Sequence, residues 1–241
     1  MSNSNLVTYT RLSPNHSGKR THSIDRITPH CVVGQLTAAG IAACFTSRSR
    51  AASCNYGIGK DGQISLIVDE GNRSWCSSSA ANDQRAVTIE CSSDTKHPYA
   101  MTSAVYKSLV DLCVDICQRN GKKKLLWRGN ESRSLNYKPN DDEMILTAHR
   151  FFANKACPGD WLYSRFGKLA DDVTKKLASG YEPYKVTIIQ TAVVRKKPSS
   201  TSKKIMTLHP GGAYTIVDVN GKWGKLKSGA GWISLKKTKK I

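Results

Sequence analysis

The chain has 241 residues, 39% of them hydrophobic, and 37 Lys and Arg against 18 Asp and Glu, a formal net charge of +19. That length accommodates one large domain or two small ones. No apolar run approaches the roughly 18 residues that cross a bilayer, and the polar N-terminal stretch holds no apolar block of the signal-peptide kind. Eight cysteines without any C-x-x-C pair argue against a disulfide scaffold, a zinc ribbon and a thioredoxin-like site, and read mostly as reduced, buried thiols.

In chain order, short apolar runs at 24–33, 55–58, 63–68, 86–91 and 124–127 have strand character. Lys60-Asp61-Gly62 between the second and third predicts a tight hairpin turn. Val105, Leu109, Leu112, Cys113, Ile116 and Cys117 recur at helical spacing, which turns Cys113 and Cys117 toward the core, and Asn120-Gly121 supplies a left-handed C-cap. Leu162, Phe166, Leu169, Val173 and Leu177 predict a second helix over 160–178, with Asp160 as N-cap. Strands interleaved with helices indicate an α/β layer built on one mixed β-sheet flanked by helices.

The pattern breaks at Ser179-Gly180-Tyr181-Glu182-Pro183. This divides the chain into a first domain over 1–178, a linker at 179–185 and a second domain over 186–241. Candidate strands at 186–189, 192–195, 204–208, 213–219, 223–226 and 231–235, separated by Gly, Pro, Ser and Asn, fit a small β-barrel. The run Lys236-Lys237-Thr238-Lys239-Lys240 reads as a solvated end. Residues 182–241 hold thirteen Lys and Arg against two acids, a net +11. Such a surface attracts polyanions, and both nucleic acid and an anionic cell wall qualify.

The segment from Ala148 to Asp160 places His149, Lys155 and Cys157 in one loop ahead of a helix. His149 and Cys157 can reach one metal if that loop curls back, with a third ligand from elsewhere. His30, in the apolar setting Ile27-Thr28-Pro29-His30-Cys31-Val32-Val33, is the best candidate. The alternative is ordinary packed His and Cys residues.

Together, His30, His149, Lys155 and Cys157 in these contexts resemble the type 2 N-acetylmuramoyl-L-alanine amidases, the zinc family that includes many phage endolysins and the peptidoglycan recognition proteins. Further matches are Ser53-Cys54-Asn55-Tyr56-Gly57-Ile58-Gly59-Lys60-Asp61-Gly62, Asn72-Arg73-Ser74-Trp75-Cys76 and Ala86-Val87-Thr88-Ile89-Glu90. The likeness covers roughly residues 20–178 and is strongest to prophage lysins of low-GC Gram-positive bacteria.

The resemblance implies one zinc ion in the catalytic domain, held by His30, His149 and Cys157, with a fourth position left to water or substrate. Two neutral imidazoles and a thiolate leave the ion a net charge near +1, enough to polarise a carbonyl and bring the pKa of bound water to about 7. Glu90 matches the carboxylate that handles the proton of the attacking water, and Lys155 the cation that stabilises the oxyanion. Tyr56 and Trp75 match positions along the substrate groove. Read singly, Glu90 is an edge carboxylate in a surface ion pair, Lys155 a solvated loop lysine, and Tyr56 and Trp75 packing residues. His16, His22, His97 and His209 default to the surface. Cys31 departs from relatives that carry a second His there and could compete as a ligand; Cys54 and Asn55 depart from relatives with Tyr or His.

Residues 186–235 resemble a bacterial SH3-like domain, through Val194-Arg195-Lys196-Lys197-Pro198-Ser199, Asn220-Gly221-Lys222-Trp223-Gly224-Lys225-Leu226 and Gly231-Trp232-Ile233. Such domains hold lytic enzymes on the wall; a basic spacer is the alternative, and Trp223 and Trp232 suit either binding or a barrel core. The whole chain is expected to be a peptidoglycan hydrolase of the endolysin type. It would cut the amide between N-acetylmuramic acid and L-alanine, with peptidoglycan and anionic wall polymers as partners and no membrane insertion. Made in the cytoplasm without a signal peptide, it would act on the cell wall after holin-type release or lysis. The rivals are a non-catalytic peptidoglycan-binding protein, a zinc peptidase cutting within the stem peptide, and a nucleic-acid binder, for which charge alone speaks and no specific reading motif exists.

Overall fold

Each of the five apolar runs contains one strand of a single mixed sheet. The computed structural model describes residues 3–178 and 183–241. In chain order its first part contains β1 (Tyr9–Thr10), β2 (His16–Lys19), β3 (Arg26–Cys31), α1 (Ala38–Ala43), β4 (Tyr56–Ile58), β5 (Ile64–Leu66), β6 (Asn72–Ser74), α2 (Ala80–Arg85) and β7 (Ala86–Cys91). There follow α3 (Ser103–Arg119), β8 (Lys124–Leu126), α4 (Glu131–Asn136), β9 (Glu143–Leu146), α5 (Asp160–Tyr163) and α6 (Phe166–Ala178).

Seven strands pair in the order β1-β5-β4-β7-β3-β9-β8, while β2 and β6 form a separate ribbon. From β4 to β8 the sheet is parallel, and β5 joins β4 antiparallel through the turn at Gly62, whose φ is +84°. The central strands β3 and β7 are buried along nearly their whole length, as parallel strands covered on both faces must be. The stripe of α3 is wholly buried, Cys113 and Cys117 included. Its end is a Schellman turn: Lys122 N–H donates to Cys117 O at 2.8 Å and Gly121 N–H to Gln118 O at 3.0 Å, with Gly121 at φ +69°.

The expected helix over 160–178 is two helices, α5 and α6, broken at Ser164 and Arg165. Asp160 is not the N-cap. Gly159 holds that position at φ +84°, and the Asp160 carboxylate accepts from Arg150 Nη2 at 2.9 Å and His97 Nε2 at 2.8 Å instead. Three six-residue helices escaped the sequence because they are too short to show a period. Each is started by a side-chain cap: Thr37 for α1, Ser79 for α2 and Asn130 for α4.

The chain divides into two compact units, Met1–Leu177 and Ala178–Ile241. The pattern break and most of the expected linker, at 179–182, lie outside the described residues. The second unit is all β: β10 (Tyr184–Ile188), β11 (Ala192–Arg195), β12 (Lys204–Leu208), β13 (Ala213–Asn220), β14 (Trp223–Leu226), β15 (Trp232–Ser234) and β16 (Thr238–Lys240). They pair antiparallel in the order β12-β11-β15-β14-β13-β10-β16, around a core that includes Val186, Ile188, Val194, Ile216, Leu226 and Ile233. The basic C-terminal run is not simply a solvated end. Thr238–Lys240 pairs with β10, and Lys240 Nζ sits 4.8 Å from the Tyr184 ring centroid, because edge pairing needs backbone groups rather than apolar side chains.

Candidate metal centre

Strand register brings the first two residues together. β3 and β7 are parallel with His30 opposite Glu90, so both side chains leave the sheet on one face. This lies at the carboxyl ends of the parallel strands, where open α/β sheets gather their functional loops. β9 runs beside β3, and Thr147 N–H donates to Ile27 O at 3.0 Å, which delivers His149 to the same end. A buried triangle fixes that approach: Thr28 and Thr147 hydroxyls meet at 2.7 Å, and Asn82 bonds both, at 3.0 and 3.1 Å.

His149 begins a single 3₁₀ turn, His149–Phe151, and its Nε2 lies 2.8 Å from Ser78 Oγ. The chain then loops back, and Arg150 N–H bonds Cys157 O at 3.2 Å while the Arg150 guanidinium holds Ala156 O. Beneath the loop Phe151 stacks on Trp127 at 6.2 Å, and Trp127 contacts Phe166 and Tyr163 edgewise at 5.1 and 5.4 Å. The packed aromatics give the loop a rigid floor.

Closure of the loop sets Cys157 Sγ 3.2 Å from His30 Nδ1 and the His30 and His149 ring centroids 5.2 Å apart. One donor atom from each of His30, His149 and Cys157 lies within 4.8 Å of the others. In a tetrahedral zinc site, bonds of about 2.0 Å to nitrogen and 2.3 Å to sulfur separate such donors by about 3.5 Å. The electrostatics agree. Burial first, and then the neighbouring His149, push the His30 pKa down to about 3, so it is a neutral lone-pair donor. Burial and then Lys155 lower His149 as well. Burial raises the Cys157 thiol, with the adjacent Cys31 thiol adding to the effect. A divalent ion reverses that last shift, because a coordinating thiol is deprotonated outright. His30 Nε2 is buried and has no hydrogen-bond partner among the described residues. Two imidazoles and one sulfur at this spacing fit a borderline-soft divalent ion of zinc's kind.

Glu90 stands beside this group. Its Oε2 is buried without a hydrogen-bond partner among the described residues, and burial raises its pKa to about 7, against the pull of Arg50. A groove of about 770 Å³ opens over the cluster and is lined by Glu90, His149, Lys155, Cys157 and Trp75 among others. Lys155 is exposed on its wall. Trp75 is partly buried, its indole N–H donating to Ser17 Oγ at 2.7 Å.

Tyr56 does not line the groove. It is fully buried, because its phenol completes an interior network with Glu70. Asn55 and Cys54 are likewise interior, and Asn55 Oδ1 accepts from Thr88 N–H at 3.1 Å and Arg20 Nη2 at 3.0 Å. His97 lies exposed at the surface, where it pairs with Asp160. Cys31 lines the groove next to Cys157. Sequence reasoning passed over Cys76, Ser78, Arg50 and Arg73, which also line it. For Cys76 a signal existed, since it ends a motif that was already singled out.

Residues 20–160 match the family Amidase_2, N-acetylmuramoyl-L-alanine amidase, and the chain belongs to that family. No curated protein matches it by sequence. Solved structures share its fold. A mutant endolysin from Bacillus subtilis is 12% identical with a TM-score of 0.50, covering 72% of this chain and 99% of that one. The catalytic domain of XlyA is also 12% identical at 0.50, over 68% and 97%. The Staphylococcus aureus hydrolase AmiA, solved in complex with its ligand, is 13% identical at 0.50, over 71% and 83%. Family membership supports a peptidoglycan amidase activity.

Proposed function

We propose that the chain is a zinc-dependent N-acetylmuramoyl-L-alanine amidase of the endolysin type, cutting the amide between the lactyl group of N-acetylmuramic acid and the L-alanine of the stem peptide. The observation that carries this reading is the meeting of His30, His149 and Cys157 donor atoms within 4.8 Å, beside a carboxylate and under an open groove. When bound by these three residues, zinc supplies a Lewis acid that polarises the scissile carbonyl and acidifies water.

Glu90 takes the proton of the attacking water and returns one to the departing amine. Burial raises this carboxyl, to about 7 with no ion bound, so it holds a proton more readily than an exposed glutamate, which suits a group that must accept one and then donate it. Lys155, on the groove wall, offers its ammonium to the oxygen that gains charge as the amide carbon becomes tetrahedral. His30 and His149 stay neutral, so they keep lone pairs for the ion and add no positive charge that would repel it. Trp75 gives the sugar or peptide an apolar wall. The second unit, with its excess of Lys, holds the enzyme on anionic wall polymers and raises the effective substrate concentration.

Digestion of purified Gram-positive walls tests the reading. Free N-terminal alanine without new reducing sugar is expected. New reducing ends, or amines only from within the stem peptide, overturn it. Cys157→Ser should lose bound zinc, whereas Glu90→Gln should keep metal and fold but lose at least about 100-fold in turnover.

A further inference from the structure

Alternation along the strands of the second unit fixes where its tryptophans point. Val194, Leu226 and Ile233 belong to the core of that unit, and Gly224 is buried as they are. Their strand neighbours Arg195, Trp223, Lys225 and Trp232 are half-buried and therefore stand on the outer face. Register then sets Lys204 opposite Arg195, Arg195 opposite Trp232, Trp232 opposite Lys225 and Lys225 opposite Asp218. Directly paired residues share a face. The five form one row across β12, β11, β15, β14 and β13, roughly 19 Å long at about 4.8 Å per strand. Lys225 Nζ lies 5.6 Å from the Trp232 ring centroid, and Arg195 Nη1 donates to Ser202 O at 2.7 Å, which anchors the guanidinium beside the row. Trp223, opposite Ser234, is the diagonal neighbour of Trp232.

We propose that this row is the docking face of the second unit, and that its occupant is a wall polymer alternating phosphate diesters with sugar or polyol units. The chemistry of the row matches such a repeat. Lys204, Arg195 and Lys225 offer charged donors to phosphate oxygens, on both sides of Trp232. The indole between them gives the carbon units of the polymer an apolar surface. The row is too long for one phosphate and suits several repeats. Asp218 closes one end, since a carboxylate repels the same phosphates. A nucleic acid carries phosphates too, but membership of a peptidoglycan amidase family places this face beside wall polymers.

The inference rests on the reading that the second unit tethers the enzyme to the wall. The full chain is titrated calorimetrically with soluble poly(glycerol phosphate), and sedimented with Gram-positive walls before and after hydrofluoric acid has removed their phosphodiester polymers. Stripping the walls should weaken adhesion by at least about tenfold. The double variant Lys204→Gln and Lys225→Gln should bind poly(glycerol phosphate) more than about tenfold less tightly, with melting temperature and hydrolysis of a small soluble muropeptide unchanged. Trp232→Ala should also weaken binding, and Trp232→Tyr should restore part of it. Asp218→Asn should strengthen it. Lys185→Gln with Lys239→Gln removes the same charge from β10 and β16 and should cost less than about threefold. Equal losses in the two double variants would mean diffuse attraction and overturn the inference, as would unchanged affinity in the row variants. Tighter binding of single-stranded DNA through the same residues would make nucleic acid the occupant and overturn it too. Failure of the tethering reading looks different: adhesion to intact walls would survive removal of 183–241.

Discussion

The Tyr56 phenol points into the interior, donating to Glu70 Oε2 at 2.7 Å and accepting from Ser4 N–H at 3.0 Å. Arg119 braces the same carboxylate with bonds of 2.7 and 2.8 Å. Tyr56→Phe strands a buried N–H and should cost about 1–3 kcal/mol, seen in chemical unfolding, with kcat and KM for wall substrate unchanged. A raised KM at unchanged stability would return Tyr56 to the groove. Asp160 shows the opposite balance. His97 first and then Arg150 hold its carboxyl below the usual carboxylate range. A depressed folded pKa stabilises above the unfolded value, and that contribution is lost as the pH falls through the folded pKa. The side chain is 56% exposed, so screening limits the effect to about 0.5 kcal/mol. Asp160→Asn should therefore lower the melting temperature slightly at pH 7, and the difference should shrink on acidification toward pH ~3.

Among the elements, the segment between β6 and α2 does most to shape the groove wall. Asp83 accepts from Cys76 N–H and Ser77 N–H and from the Ser77 hydroxyl at 2.6 Å, while Ser79 caps α2 by accepting from Asn82 N–H at 3.2 Å. This seats Ser78, at φ +62°, with its hydroxyl against His149. Asp83→Ala should cost about 3 kcal/mol, one for each lost bond, and speed metal loss to a chelator through the freed His149. Lowered stability with unchanged metal retention would show that Ser78 does not orient the imidazole. None of this chain of caps was visible as a period. β9 was equally hidden, since Glu143–Leu146 is fully buried although it starts with a charged residue, whose Oε2 accepts from the Tyr137 hydroxyl at 2.8 Å.

For the whole molecule, charge and division into two units make the prediction. The second unit carries a net +11 over 182–241 in a chain of +19. A chain lacking 183–241 should bind walls less well yet hydrolyse a small soluble muropeptide at nearly the full rate. Raising ionic strength from about 0.05 to 0.5 M should weaken adhesion of the full chain, because exposed charges are screened beyond a few ångströms. An equal fall in adhesion and soluble hydrolysis would refute the separation of roles. Among the described residues no helix is long and apolar enough to cross a membrane.

Periodicity and turn chemistry were enough to locate β3, β4, β5, β7 and β8, the stripe of α3 with its glycine cap, the hairpin at Gly62 and the residue types able to ligate a metal. Each of these depends on residues a few positions apart. The centre itself depends on closure over long distances: His30 and Cys157 are 127 positions apart and meet only because β9 docks beside β3 and the loop after it folds back over Trp127. The same tertiary packing sent Tyr56 inward, brought Cys76 to Glu90 and paired a basic tail as a strand. A local pattern reports which side of its own element a residue takes. Which element stands opposite is decided by the register and packing of the whole sheet.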